Sequence, residues 1–290
     1  MVKLRGYGLL VVLATIWGLA FVAIRRADAE LAPVNLTLLR WIIVSASFLI
    51  LYPFMAKPKT RFERKDVPRL LVVSLTSVTI YHLALNTAET TVDASLAGLL
   101  ISLSPLLVVV LSSVLLREKV TWKIGLGLAF AMAGAVVISW PDLSLGTGTL
   151  TGPVLVVVSA AASATFTVTS KPLVGKYGPY PVALWAAVIG TAVLLPLLSP
   201  SLIAQAEALS IEGWTSVLYL ALLSTVVANI IFFTLVGRQA VSKLGVQLYL
   251  VPLVSVAGGT LILGEALNTF VVAGGALLLA AVALATHGGH

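Results

Sequence analysis

The chain has 290 residues, of which 59% are hydrophobic and only 10% charged; a soluble globular domain carries roughly 25% charged residues. So few charges cannot cover a water-facing surface, which excludes a soluble protein and leaves an integral membrane protein. The net charge of +7 and a pI near 9.8 do not call for nucleic acid, because the cations sit in short loops between apolar runs, the pattern of topology determinants.

A bilayer core of about 30 Å takes roughly 17–25 apolar residues as a helix. Ten stretches fit: Tyr7–Ile24, Pro33–Met55, Val67–Thr87, Ala94–Leu116 and Trp122–Trp140, then Leu150–Lys171, Val182–Leu198, Gly213–Val236, Leu244–Leu263 and Phe270–Thr286. The first has no small-residue cleavage site, so it reads as a retained helix and not a signal peptide. The second carries Arg40 seven residues in, about 10 Å deep at 1.5 Å per residue. Arg40 is open to two readings, snorkelling outward or binding an anion. A basic loop from Lys57 to Asp66 follows, solvated and near anionic headgroups.

Polar side chains at depth are costly, so each is a functional candidate. His82 and Asn86 stand at i, i+4 on one face of the third span, and Glu89 continues that face. The fourth span holds Pro105, which frees a carbonyl and bends a helix, as a gate requires. Glu118 precedes the cap residue Thr121, and an acid there favours the positive helix start. Residues 143–149 are a short polar linker between units 1–142 and 150–290. Pro196 interrupts the seventh span, and residues 201–212 suggest a short surface helix. The eighth span carries Asn229. Gln247 and Tyr249 open the ninth, which holds Pro252. Glu265 and Asn268 repeat the acid-and-cap pattern.

The second half echoes the first at an offset of 147 residues. Pro105 falls on Pro252, Glu118 on Glu265, Ser95 on Ser242, Gly98 on Gly245 and His82 on Asn229. The chain therefore reads as two five-helix repeats. Fifteen of the 18 basic residues fall in one set of loops, which puts both termini in the cytoplasm. Five spans is an odd number, so the repeats are expected to be inverted, with the solute site at the midplane, as in secondary transporters. His82 and Asn86 would line the outer half of a cavity, and Asn229, Gln247 and Tyr249 the inner half, with Trp17 near its level. An aromatic wall with few hydrogen-bonding groups suits a small amphipathic solute.

At these residues the chain resembles the EamA family of the drug/metabolite transporter superfamily. The matching features are Trp17-Gly18, the spacing of Pro33 to Arg40, Tyr81-His82 through Asn86, Ser104-Pro105 to Glu118, then Gly125, Gly127 and Gly134. Pro252, Glu265, Gly274 and Gly275 supply the second copy. The sixth span departs, with Ser163-Ala164 where the repeat would place Trp17-Gly18, so an aromatic there is expected from Phe166. The resemblance implies an all-α membrane fold of ten helices, cytoplasmic termini, a central cavity, peripheral fifth and tenth helices and alternating access.

The expected function is a secondary transporter of an amino acid-like or amphipathic solute, in the direction of export, in the plasma membrane. Trp17, Tyr81, His82, Asn86, Phe166, Asn229, Gln247 and Tyr249 are the expected solute contacts, and Pro105 and Pro252 the gates. His82 and Glu89 are the candidates for proton coupling. No cofactor is expected. With no cysteine, and two of three histidines at His287 and His290, no metal site is expected either. The expected partners are the solute and membrane lipids, with the protein a monomer or homodimer. A channel or lipid scramblase is the competing class, and an intramembrane enzyme a further one.

Overall fold

The protein is described by a computed structural model, over residues 2–55, 62–115, 122–144, 150–238 and 250–286. All regular structure among the described residues is helical. Seven helical segments are long and apolar enough to cross a membrane. In chain order the helices are α1 (Val2–Asp28) and α2 (Pro33–Met55), α3 (Arg64–Glu89) and α4 (Ala94–Leu115), α5 (Trp122–Ser144), α6 (Thr151–Tyr177) and α7 (Pro179–Leu194), α8 (Ile211–Gly237), α9 (Leu250–Leu263) and α10 (Thr269–Thr286). Gly125–Gly134, Val251–Leu263 and Thr269–Ala281 are the shorter apolar stretches, in α5, α9 and α10.

Side chains such as Ile50, Phe54, Ile203 and Leu261 are exposed, a surface that lipid covers and water would not. The expected surface helix is present as Pro200–Ala208. Its Gln205 side-chain oxygen accepts both the Ala32 amide at 3.0 Å and Asn35 Nδ2 at 2.8 Å, which pins it to the α1–α2 turn.

Three helices are broken where they pass the centre. α3 runs as α-helix, then π-helix at Leu75–Ile80, then α-helix from Tyr81. α8 is π-helical at Tyr219–Val227. The two π segments end 147 residues apart. α4 breaks at Ile101 and Ser102, and Pro105 lies in the first turn of the piece Leu103–Leu115. A proline there loses no helical hydrogen bond, so the bend and the proline fit each other.

The packing also follows the offset. α1 packs on α9 and α6 on α4; α3 packs on α6 and α8 on α1; α2 meets α7, and α5 lies on α10. Each pairing is carried onto another, or onto itself, when the halves are exchanged. The α4–α9 approach is close: Ser255 Oγ donates to the Ala94 carbonyl at 2.8 Å. A Cβ on Gly98 would stand 2.0 Å from Ser255 Oγ, so only glycine fits there.

Polar contacts tie the two ends of the bundle. At one, Glu30 accepts the Ser210 amide at 2.7 Å and its hydroxyl at 2.6 Å. These two bonds hold the Glu30 carboxyl below the usual carboxylate range. Arg26 pairs with Glu212 at 3.0 Å. At the other end, Tyr177 OH accepts the Glu63 amide at 3.0 Å and donates to Asp66 at 2.6 Å. Lys176 pairs with Glu63 and Asp66, each at 2.6 Å, and the Glu63 carboxyl is held low by Lys176 and Lys65. The positions correspond: Glu63 falls on Ser210 and Glu30 on Tyr177 at the offset. One backbone amide finds a side-chain acceptor at the same junction in both halves.

Asn268 caps α10 through the Val271 amide at 2.8 Å. Glu265 serves a different helix from the one its sequence position suggested. Its carboxylate accepts the backbone amides of Ala94 at 2.8 Å and Ser95 at 2.9 Å, at the start of α4. Glu118 and Thr121 lie outside the described residues.

Candidate functional site

The helix breaks surround a central cavity of about 150 Å³, room for roughly five waters or one small solute. Its lining draws on α1, α2, α3, α4, α6, α7, α8 and α9. Of the expected solute contacts, Trp17, Tyr81, His82, Phe166 and Asn229 line it, and so do both prolines, Pro105 and Pro252. Several lining residues stand at repeat-related positions: Ser77 with Ser224, His82 with Asn229, Pro105 with Pro252, and Arg40 with Ala187.

One wall is aromatic. Trp17 and Phe232 have ring centroids 5.2 Å apart, and Phe232 lies 5.7 Å from both Phe166 and Phe233. Phe166 thus supplies the aromatic on α6 that Ser163-Ala164 does not. The Trp17 indole is fixed by donating Nε1 to the Ser224 carbonyl at 3.0 Å. His82 stands edge-on to Trp41 at 5.0 Å and to Tyr81 at 4.7 Å.

Asn86 does not reach the cavity. It is fully buried one turn beyond His82, where its Nδ2 donates to Thr37 Oγ1 of α2 at 2.9 Å. An i, i+4 pair shares a face only approximately, and α2 covers the second member. Glu89 also lies off the cavity, at 0% exposure. Gln247 and Tyr249 lie outside the described residues.

Arg40 neither snorkels nor reaches a headgroup. It lines the cavity at 4% exposure, and donates Nε at 3.0 Å and Nη2 at 2.7 Å to Thr225 Oγ1. Thr225 sits in the π segment of α8, and its own hydroxyl donates to the Leu220 carbonyl five residues back, at 2.7 Å. The sequence reading missed this contact, and it missed Phe232 and Phe233 as wall residues. The adjacent aromatic pair three residues after Asn229 was the available signal.

Near the Asp93 end of the bundle lies a second polar cluster. All four carboxylate oxygens of Asp28 and Glu89 are buried and meet no hydrogen-bond donor among the described residues. Arg25 is close by, but it donates to the Glu89 backbone carbonyl and not to its carboxylate. No group of three or more histidines and acids able to hold a metal exists among the described residues.

The EamA-like transporter family matches residues 4–140 and again residues 150–286. An uncharacterized transporter of Archaeoglobus fulgidus is 32% identical over 265 residues, 91% of this chain and 92% of that one. A probable terminal-alkyne amino-acid exporter of Streptantibioticus cattleyicolor is 32% identical over 276 residues, covering 95% and 91%. A probable amino-acid metabolite efflux pump of Salmonella typhimurium is 26% identical, covering 94% and 91%. A solved structure superposes with a TM-score of 0.68 at 21% identity, over 98% of this chain and 96% of that one, which shows the shared fold. With apolar helices of spanning length and a family match on both halves, the chain is a multi-pass membrane transporter that belongs to the EamA-like transporter family.

Proposed function

We propose that the protein exports a small amphipathic metabolite by alternating access through the central cavity. The carrying observation is the cavity itself, lying where α3, α4 and α8 are broken and lined by residues from both halves. Two relatives named as exporters or efflux pumps of amino acids or their metabolites support the direction and the solute class. The reading takes the ten helices as two inverted five-helix repeats. It is supported by the offset of 147, by a packing pattern that survives exchange of the halves, and by π segments at equivalent positions. The split of basic residues between the loops supports cytoplasmic termini, and the reading sets the protein in the plasma membrane. Pro105 and Pro252 then sit at equivalent positions on the cavity wall, each in the first described turn of its helix piece, where a rocking motion would hinge.

Proton coupling belongs to this reading, with Asp28 and Glu89 as its site. An unpaired buried carboxylate is costly, and protonation removes that cost. His82, boxed by two rings, is the weaker candidate.

The test is flux into proteoliposomes. A carrier saturates with radiolabelled solute and shows counter-flow, accelerated when unlabelled solute is loaded on the far side. A linear, unsaturable flux without counter-flow would assign the protein to the channel or scramblase class.

A further inference from the structure

We propose that Arg40 anchors a carboxylate. The solute is then an organic acid carried with its anionic group on Arg40 and its apolar body against the Trp17–Phe232 wall. The proposal rests on the transport reading and names the substrate class of the same cavity.

Hydrogen-bond accounting is the first support. A threonine hydroxyl offers one donor and two acceptor positions. Thr225 spends its donor on the Leu220 carbonyl and both acceptor positions on Arg40. It is saturated, so it holds the guanidinium in one orientation and can take nothing else. A guanidinium has five N–H donors. Two go to Thr225, and the other three meet no acceptor among the described residues.

Charge is the second support. Among the described residues Arg40 is the only charged one lining the cavity, and no acid lines it. No carboxylate pairs with Arg40 among the described residues. A buried charge without a partner is expensive in a low-dielectric interior, and a bound anion offsets that cost. The planar fork of a guanidinium matches a carboxylate in bidentate fashion. A phosphate dianion would leave one charge uncompensated, so a monoanion is the better fit.

Position is the third. Trp17 is fastened to Ser224 and Arg40 to Thr225, consecutive residues of one π segment. The cation and the aromatic wall therefore start side by side. The repeat-equivalent position of Arg40 is Ala187, also on the cavity wall. The pocket thus has one charged side, which fixes the direction in which an amphipathic acid lies. An amino group finds no acid among the described lining residues, so the amine of an amino acid is tolerated and not required.

The test uses the full chain in lipid nanodiscs, with calorimetric titration of two probe series. One comprises L-phenylalanine, 3-phenylpropanoate, L-phenylalaninamide and phenethylamine; the other comprises L-leucine, 4-methylpentanoate and L-leucinamide. In at least one series the acids bind and the amide or amine is weaker by about 10- to 100-fold, the range for a hydrogen bond to a charged group. Arg40→Gln lowers acid affinity by a similar factor and leaves the amide unchanged, while Arg40→Lys retains part. Amides that bind as tightly as acids, or acids that do not bind in either series, overturn the proposal. So does a folded Arg40→Gln that keeps the acid preference. Should Arg40→Gln not fold, the acid–amide comparison on the wild type decides alone. Acid-selective binding without counter-flow would sink the transport reading and leave the anchor standing. Counter-flow of an amide at the acid's rate would do the reverse.

Discussion

Glu265 holds Ser95 by two bonds, one from its backbone amide at 2.9 Å and one from its hydroxyl. With the Ala94 amide, this joins the α9–α10 turn to the start of α4 and ties the two halves at the Asp93 end. A carboxylate accepting several backbone amides is a strong, charge-assisted contact. Glu265→Gln removes the charge and one acceptor and weakens the closure by about 1–3 kcal/mol. The chain has no native cysteine, so a single Ser102→Cys in the cavity wall reports alone. Its labelling from the Asp93 side is expected to quicken in the Glu265→Gln background. An unchanged rate would make the contact a helix cap and nothing more.

Sidedness follows from the basic loops. Single cysteines at Arg61 and Lys176 are expected to react with an impermeant reagent only from the cytoplasm. Those at Asp142 and Glu207 should react only from outside. Reaction of Arg61 and Glu207 from one side would dismantle the inverted-repeat arrangement.

Pro105→Ala and Pro252→Ala test the hinges. Alanine removes the ring that blocks helix continuation into the preceding turn, so each helix can extend through its start and stiffen there. Expression should survive and the balance between outward-open and inward-open accessibility should shift, read by labelling the same Ser102→Cys reporter from each side. If both variants keep wild-type transport and accessibility, the prolines only fit the bends.

Coupling is read in proteoliposomes with and without an imposed pH gradient. Glu89→Gln and Asp28→Asn are each expected to abolish gradient-driven accumulation and to retain counter-flow. His82→Gln should lower the rate by altering the wall and should leave the gradient response in place. Full accumulation by Glu89→Gln would exclude the carboxyl pair.

The end junctions predict an acid limit on stability. Ser210 holds the Glu30 carboxyl low, and Lys176 with Lys65 holds Glu63 low. Unfolded glutamates titrate near about 4.3. The stabilisation is therefore complete above that value and is lost as pH falls through the depressed folded values. A melting-temperature profile in detergent should decline below about pH 4, and Glu30→Gln with Glu63→Gln should flatten that decline.

The sequence placed the starts of α2 at Pro33 and of α4 at Ala94, because hydropathy reports where lipid must cover the chain. It placed α1 short, at Tyr7–Ile24 against Val2–Asp28. That helix continues past the apolar run into Lys3 and Arg5 at one end and Arg25 and Arg26 at the other. The π segments were not legible, since Leu75–Ile80 and Tyr219–Val227 are ordinary apolar runs. Trp17 and His82 could be assigned to a cavity because aromatic and polar groups at depth are scarce. Arg40 could not, because what decides its direction is Thr225, 185 residues away in sequence. Asn86 was misplaced for the same reason: its partner Thr37 lies on a helix that one-span reasoning does not see.

The paired π segments also carry a record of the protein's history. A π turn accommodates one extra residue, so a turn acquired by one half alone would put every later helix of that half out of step. The halves stay in step: Ile80 and Val227 end the two wide turns 147 residues apart, and Pro105 and Pro252 beyond them keep the same spacing. Under the duplication proposed here, the wide turn was already present in the ancestral five-helix unit before it was copied. Arg40, facing Ala187 at the matching position, marks where the two copies later parted.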